Sequence, residues 1–390
     1  MPDSSQSLPL RVLHVVGAID AGGIASWLLQ LARCADRSQL SMDFFVYADA
    51  EGAYNPELLS LGTRIFRCPR SDPPWLYANN MWRILRTLGP YDVVHSHVHY
   101  YSGWVLAIAA LAGVPVRIAH SHTDTRSEDS RASASRRLYL ATMKILLRHS
   151  ATAAVAASSE AGAALFGESW PSHLKWSLLR CAIDLSPFRE SPRSSLREEL
   201  GIPRDSFVVG HVGRLVEVKN HSFLIAIAKA AELLNPAIHF LLVGDGPLRG
   251  DIERRVAEAH LKNRFTFAGQ RNDIPALMVG AMDAFVLPSL FEGLPLVLIE
   301  AQAAGLPCLV SDTVSAESNI VNSLFFRQSL SSSPEEWAAR LISLRQARSD
   351  ISREQALRAV EVSPFEIHSN LDWLQAFYRN RRDGNASWTS

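Results

Sequence analysis

The chain has 390 residues, 47% of them hydrophobic, and its 39 Lys+Arg balance its 39 Asp+Glu. That length and apolar content suit a globular chain of two or three domains, and the neutral balance leaves no global field for nucleic acid, so any basic patch is local. Four cysteines, at 34, 68, 181 and 308, match no metal-knuckle or redox spacing and are few for a disulfide scaffold; they read as reduced thiols of a cytosolic protein.

The start, Met1 to Pro9, is polar, and Arg11 to Ile19 is too short and interrupted for an h-region, so no signal peptide is expected. Short apolar runs then alternate with helical patterns. They are Val12 to Val16, Met42 to Tyr47, Val93 to His95, Val116 to Ala119 and Thr152 to Ala157. After them come Val208 to Val212, Phe240 to Val243, Arg264 to Ala268, Ala284 to Leu287 and Cys308 to Ser311. This rhythm predicts parallel sheets covered on both faces. The runs are too many for one doubly wound sheet, and the rhythm restarts near 207. Ala151 to Ala157 is apolar but far short of the roughly twenty residues a spanning helix needs.

Between the halves, the Ser- and Pro-rich stretch from Asp184 reads as a linker, followed by a short helix from Ser194 to Leu200 ended by Gly201 and Pro203. The expected domains are therefore 1–185, completed by a C-terminal helix over 364–380, and 186–363, with 381–390 a polar tail. Ser363 is the N-cap candidate of that helix and Pro364 its first residue. Ile367, Leu371, Leu374 and Tyr378 repeat along one face of it. Asn385-Ala-Ser387 matches a glycosylation sequon, read as chance without a leader peptide.

Two glycine loops follow strands. Gly17-Ala-Ile-Asp-Ala-Gly22-Gly23 precedes the first helix, where backbone N–H groups can approach an anion. It is not G-x-G-x-x-G, which disfavours a dinucleotide oxidoreductase. Gly244-Asp-Gly-Pro-Leu248 lies at the carboxyl end of another strand, where open α/β sheets bind ligands. Either loop is also an ordinary turn if taken alone.

Arg214 and Lys219 stand beyond the end of the strand Val208 to Val212 and can hold a diphosphate, Arg by its planar fork and Lys as a point charge. Solvated surface cations are the plain alternative. Glu292 and Glu300 are eight apart, the first in a loop and the second inside an apolar helix, where a carboxylate needs a partner such as a sugar or ribose hydroxyl pair. A helix cap and a structural ion pair are the plain alternatives.

Gly213-Arg-Leu-x-Glu-x-Lys-Asn-His, the Val243-Gly-Asp-Gly-Pro loop and Glu292-x7-Glu300 with Glu-Gly-Leu-Pro, in this order, resemble the family 4 retaining glycosyltransferases. The match is closest to the branch that builds bacterial exopolysaccharide, which carries strings like Val94-His-Ser-His97, Val116-Arg-Ile-Ala-His-Ser-His122-Thr and Ser311-Asp312-Thr313. The resemblance implies the GT-B fold: two Rossmann-like, doubly wound parallel α/β domains facing each other across a cleft. It implies that a hexose-type sugar moves from a nucleoside diphosphate donor to a glycan or lipid-linked acceptor.

Position by position, it implies that Arg214 and Lys219 bind and neutralise the leaving diphosphate, that Glu300 grips the ribose hydroxyls and that Glu292 faces the sugar. The backbone around Gly293, Leu294 and Leu296 would hold sugar and phosphate, with Gly244 nearby and Gly22 and Gly23 approaching from the other domain. Arg271 falls where the base meets backbone. A histidine near the transferred sugar is expected at His120, with His122 as the alternative; alternation along a strand puts both on one face. His95, His97 and His99 form the other rich histidine site, but no carboxylate or thiol set completes a metal site in sequence.

The chain contains no Asp-x-Asp, the pattern that often holds a divalent ion in metal-dependent transferases. Activity is therefore expected without metal or other cofactor, with the two cations stabilising the developing charge. Retention is implied by the family. From Arg126 to Arg148, Arg126, Arg131, Arg136, Arg137, Lys144 and Arg148 outnumber Glu128 and Asp129, a pattern that suits either a basic amphipathic helix on an anionic membrane or a solvated helix face. The protein is expected in the cytoplasm, with the inner face of the membrane as its peripheral contact. Two rival readings are a nucleotide-sugar epimerase of the same architecture and a non-catalytic nucleotide-sugar-binding subunit.

Overall fold

The computed structural model describes residues 8–20, 22–167, 176–190, 195–347 and 351–384. The sequon at 385–387 and residues 191–194 of the linker stretch lie outside them. Continuous apolar runs become strands buried on both faces, as parallel sheets require. The first sheet contains β1 (Leu10–Val16), β2 (Leu40–Tyr47), β3 (Ile65–Cys68), β4 (Val93–Ser96), β5 (Val116–Ser121), β6 (Ala153–Ala156) and β7 (Trp176–Leu178), in the order β3-β2-β1-β4-β5-β6-β7. Every pairing is parallel. The second contains β8 (Phe207–Val212), β9 (Ile238–Val243), β10 (Phe265–Gly269), β11 (Ala284–Leu287), β12 (Cys308–Ser311) and β13 (Phe325–Gln328), ordered β10-β9-β8-β11-β12-β13, again all parallel. The sequence pattern misses β3, β7 and β13. All three are edge strands of three or four residues with one face partly open, so no continuous apolar run marks them.

The helices of the first sheet are α1 (Gly23–Cys34), α2 (Asn55–Ser60), α3 (Pro74–Thr87), α4 (Ser102–Leu111), α5 (Arg126–Ser130), α6 (Ala134–Ser150) and α7 (Ser159–Leu165). Those of the second are α8 (Leu196–Glu199), α9 (His221–Leu234), α10 (Arg249–Glu258), α11 (Ile274–Gly280), α12 (Leu296–Ala303), α13 (Pro334–Ala347) and α14 (Arg353–Glu361); α15 (Ile367–Arg382) ends the described chain. The chain divides into one compact unit running up to Ala182 and rejoined from Ile367, and a second formed by Ile183–Glu366.

Alternation along the strands sorts the first unit into two layers. Leu13 and Val15 of β1 join Tyr77 and Met81 of α3, Leu106 of α4 and Leu147 of α6 in one apolar core. His14, between them in sequence, points to the other face, where α1 and α15 lie: Trp27 of α1 donates its indole N–H to Asn370 Oδ1 of α15 at 3.0 Å. In the second unit, β8, β9 and α9 share a core with Trp337 and Leu341 of α13.

Three local expectations are corrected. The last helix starts at Ile367, not Pro364, because Ile183 N–H donates to Phe365 O at 2.8 Å and Ile183 forms a parallel bridge with Glu366, holding that backbone extended. The stretch after Asp184 is not a free linker: Leu185 and Phe188 are buried, a 3-10 turn spans Ser186–Arg189, and Arg189 pairs with Glu361 at 2.5 Å. The basic stretch is two helices, α5 and α6, because Ser133 caps α6 by accepting from Arg136 N–H and stops the helix from running on towards α5.

Candidate active site

In the second unit the chemistry gathers at the carboxyl ends of the strands. The loop after β8 and the loop after β9 lie against each other. Leu215 N–H donates to Asp245 O at 2.9 Å, and Leu248 N–H donates to Leu215 O at 3.1 Å. This contact explains two glycines. Gly244 has φ +133° and a Cβ there would sit 2.0 Å from Gly213 O; at Gly246 it would sit 2.5 Å from Leu215 O. The glycine signal at this loop thus reports loop packing, which requires no ligand.

The β8 loop is also stitched to the segment after β11. Leu290 N–H donates to Val218 O at 2.8 Å, and Asn220, in the left-handed region at φ 57°, donates from Nδ2 to Pro288 O at 3.1 Å. These bonds set Lys219 against Glu292: Nζ meets Oε1 at 2.5 Å, and Ser289 Oγ donates to the same oxygen at 2.7 Å. The two charged side chains are only 14% and 13% exposed, so each depends on the other or on a ligand for compensation. The sequence reading gave them separate tasks; the fold places them in contact. Arg214 is exposed on the same loop. Gly293 and Leu294 lead into α12, whose Pro295 cap offers no side-chain acceptor, and Leu296 is buried at its first turn.

Glu300 lies one turn further along α12, beside buried Ile299 and Ala301. Burial pushes its carboxyl up to about 7. Among the described residues nothing donates a hydrogen bond to its carboxylate. Arg271, in the loop after β10, is committed elsewhere, forming two 2.7 Å bonds to Asp273.

In the first unit the histidines line up across the sheet. His14 pairs in register with His95, and both meet His97 on one face. One line of contacts runs from His14 Nδ1 to His97 Nε2 (3.0 Å), from His97 Nδ1 to His122 Nε2 (2.9 Å) and from His122 Nδ1 to Cys181 Sγ (3.6 Å). A second runs from Tyr378 OH to His95 Nδ1 (2.7 Å) and from His95 Nε2 to His120 Nδ1 (3.2 Å). Burial holds every one of these imidazoles well below its ordinary range, with His14 and His122 at about 3, so the cluster is neutral at pH 7. The expected shared face of His120 and His122 is present, their ring centroids 3.9 Å apart. His120 is fully buried against Trp27, whereas His122 is partly exposed.

Sequence reasoning missed His14, Trp27, Cys181 and Tyr378 in this cluster. Alternation in β1 gives a signal for His14; the other three are joined to it only by tertiary folding. His14, His95 and His97, and separately His97, His120 and His122, bring ring nitrogens within 4.8 Å of one another, close enough to be considered for a metal. The short N···N contacts just given fit N–H···N hydrogen bonds between neutral rings. Gly22 and Gly23 open α1; a Cβ at Gly23 would meet nothing, and Gly22 as N-cap supplies no side-chain acceptor, so the helix N–H groups there keep their backbone accessible.

This pairing of two all-parallel α/β units is the GT-B architecture of glycosyltransferases. HepE of Anabaena, solved with UDP-glucose, superposes with a TM-score of 0.78 over 95% of this chain and 99% of its own at 21% identity. WaaG, a glycosyltransferase of lipopolysaccharide biosynthesis, does so with a TM-score of 0.68 over 94% of this chain and 99% of its own at 16% identity. The family model for glycosyl transferases group 1 matches residues 192–357, and that for the glycosyl transferase 4-like domain matches 22–173. EpsF of Bacillus subtilis, named as a glycosyltransferase, is 39% identical over 334 residues, covering 84% of this chain and 86% of its own. An Escherichia coli enzyme named UDP-Gal:alpha-D-GlcNAc-diphosphoundecaprenol alpha-1,3-galactosyltransferase is 36% identical over 228 residues, 57% of this chain and 58% of its own. The chain belongs to the group 1 glycosyltransferases, and within them it is similar to EpsF.

Proposed function

We propose that the protein is a retaining hexosyltransferase of surface-polysaccharide synthesis, which takes its sugar from a UDP-hexose and delivers it to a lipid-diphosphate-linked glycan. The observation that carries the donor reading is Glu300: a buried carboxyl, raised to about 7, with no hydrogen-bond donor among the described residues. The ribose 2′ and 3′ hydroxyls of a nucleotide supply the missing donors. The diphosphate then lies by Lys219 and Arg214, and drawing Lys219 to it frees Glu292 to meet the donor sugar. Gly293 to Leu296 present backbone N–H groups at the start of α12 to the phosphate. UDP-glucose in HepE and the UDP-galactose and diphosphoundecaprenol named for the E. coli relative support this choice of substrates.

In the transfer, the bond from the anomeric carbon to the β-phosphate oxygen breaks and a bond to the acceptor oxygen forms on the same face. The acceptor's proton passes to the departing phosphate oxygen. Lys219 and Arg214 stabilise the negative charge that grows there, a task that needs no divalent ion. Of the two candidate histidines, His122 is the one with access to a ligand. The basic segment 126–148 contacts the anionic inner face of the membrane, where a lipid-linked acceptor resides.

The test is incubation with UDP- and GDP-hexoses in EDTA, with and without a lipid-diphosphate glycan, followed by NMR of the anomeric proton. Acceptor-dependent release of UDP and an anomeric configuration matching the donor are expected. Donor isomerisation without transfer, binding without turnover, or an inverted product would each refute the reading.

A further inference from the structure

We propose that the outer surface of α3, α4 and α6 docks on an anionic lipid bilayer, with the apolar groove between α3 and α4 receiving hydrocarbon chains. This rests on the membrane reading of segment 126–148 and extends it to a different surface element. The first observation is charge. Helices α3, α4 and α6 contain no Asp or Glu, while α3 carries Arg83 and Arg86 and α6 carries Arg136, Arg137, Lys144 and Arg148. In a chain whose charges balance, this is a local concentration of one sign. The nearby acid Asp129 is taken up by Tyr100 and Thr125.

The second observation is apolar exposure on the same three helices. Trp75 is 68% exposed, Trp82 46%, Leu111 83%, Leu138 71% and Ile145 55%. Between α3 and α4 lies a groove of about 270 Å³, walled by Trp82, Trp104, Ala107, Ile108 and Leu111. The Trp104 indole nitrogen is buried with no hydrogen-bond partner among the described residues. Tryptophan with an apolar body and a polar N–H is suited to the boundary between headgroups and acyl chains, and flanking Arg and Lys suit anionic headgroups.

A second copy of the chain fits this surface poorly, since an isologous contact would set six cations against the same six. Among the described residues no helix is long and apolar enough to cross a membrane, so the contact is a surface one.

Flotation of the full chain with vesicles tests this. Binding to phosphatidylglycerol-containing vesicles, absence from pure phosphatidylcholine and release by salt are expected, together with quenching of tryptophan emission by brominated acyl chains. The double variant Trp82→Ser/Leu111→Ser should lose roughly tenfold in partition, along with part of the quenching. Its melting temperature and its UDP binding serve as controls for folding. Wild type that ignores anionic vesicles, a double variant that binds as wild type does, or a concentration-dependent dimer abolished by Leu111→Ser would overturn the proposal. Release by Arg136→Glu/Arg137→Glu with unchanged binding of the double variant would sink the groove and leave the basic-helix reading standing. None of these readouts depends on sugar transfer, so they fail or succeed independently of the enzymatic assignment.

Discussion

Changing Glu300 to Gln separates stability from binding. The carboxyl takes a proton at about 7 in the fold against 4.5 in the unfolded chain, because burial disfavours its charge. Folding is therefore unpenalised below pH 4.5, and the penalty grows as pH rises to about 7 and then stays constant. At about 1.36 kcal/mol for each tenfold difference in proton affinity, the gap corresponds to about 3 kcal/mol above pH 8. Glu300→Gln removes the charge and should gain most of that, raising the melting temperature of the second unit by about 5–10 °C at pH 8.5 and hardly at all at pH 4.5. The same variant should weaken UDP binding, measured by calorimetry at pH 8.5, because an amide is a poorer acceptor for two hydroxyls than a carboxylate. Scanning calorimetry at the two pH values decides the matter. An equal gain at both, or a loss at pH 8.5, would refute the account of Glu300 as an uncompensated buried charge.

Lys219→Met should cost about 2–4 kcal/mol of transition-state stabilisation, read as a fall in kcat with a smaller change in donor KM; a pure KM effect would place Lys219 outside the leaving-group site. His122→Ala should cut turnover with little change in melting temperature, whereas His120→Ala should destabilise the first unit by about 2–4 kcal/mol, since His120 is buried against Trp27; the opposite pattern would restore His120 as the residue near the sugar. Gly244→Ala should destabilise the second unit by about 2–4 kcal/mol in urea titration, because its Cβ would strike Gly213 O at an unfavourable φ, and a neutral result would contradict the loop packing. The neutral imidazoles give an acid-side signature: below about pH 6.5 the unfolded chain takes up protons that His14 and His122, held to about 3, refuse. Stability of the first unit should thus fall steadily from pH 6.5 towards 4, and a flat melting temperature across that range would show the cluster to be solvated.

What the sequence by itself determined was periodic or contiguous. Buried parallel strands such as Leu10–Val16 and Ile238–Val243 announce themselves because both faces must be apolar. The Lys219 and Glu292 motifs were legible because strand ends and the turns after them are short, so ligand-facing residues fall at fixed offsets from an apolar run. The edge strands were not legible, since half-exposed residues carry no run. Nor could sequence show that Lys219 pairs with Glu292 across 73 residues, or that Tyr378 reaches His95 across 283, because those distances are closed only by packing elements together. Tertiary structure also decided which of His120 and His122 has access to a ligand: alternation gives both the same face, and only the depth of each beneath Trp27 and α15 distinguishes them.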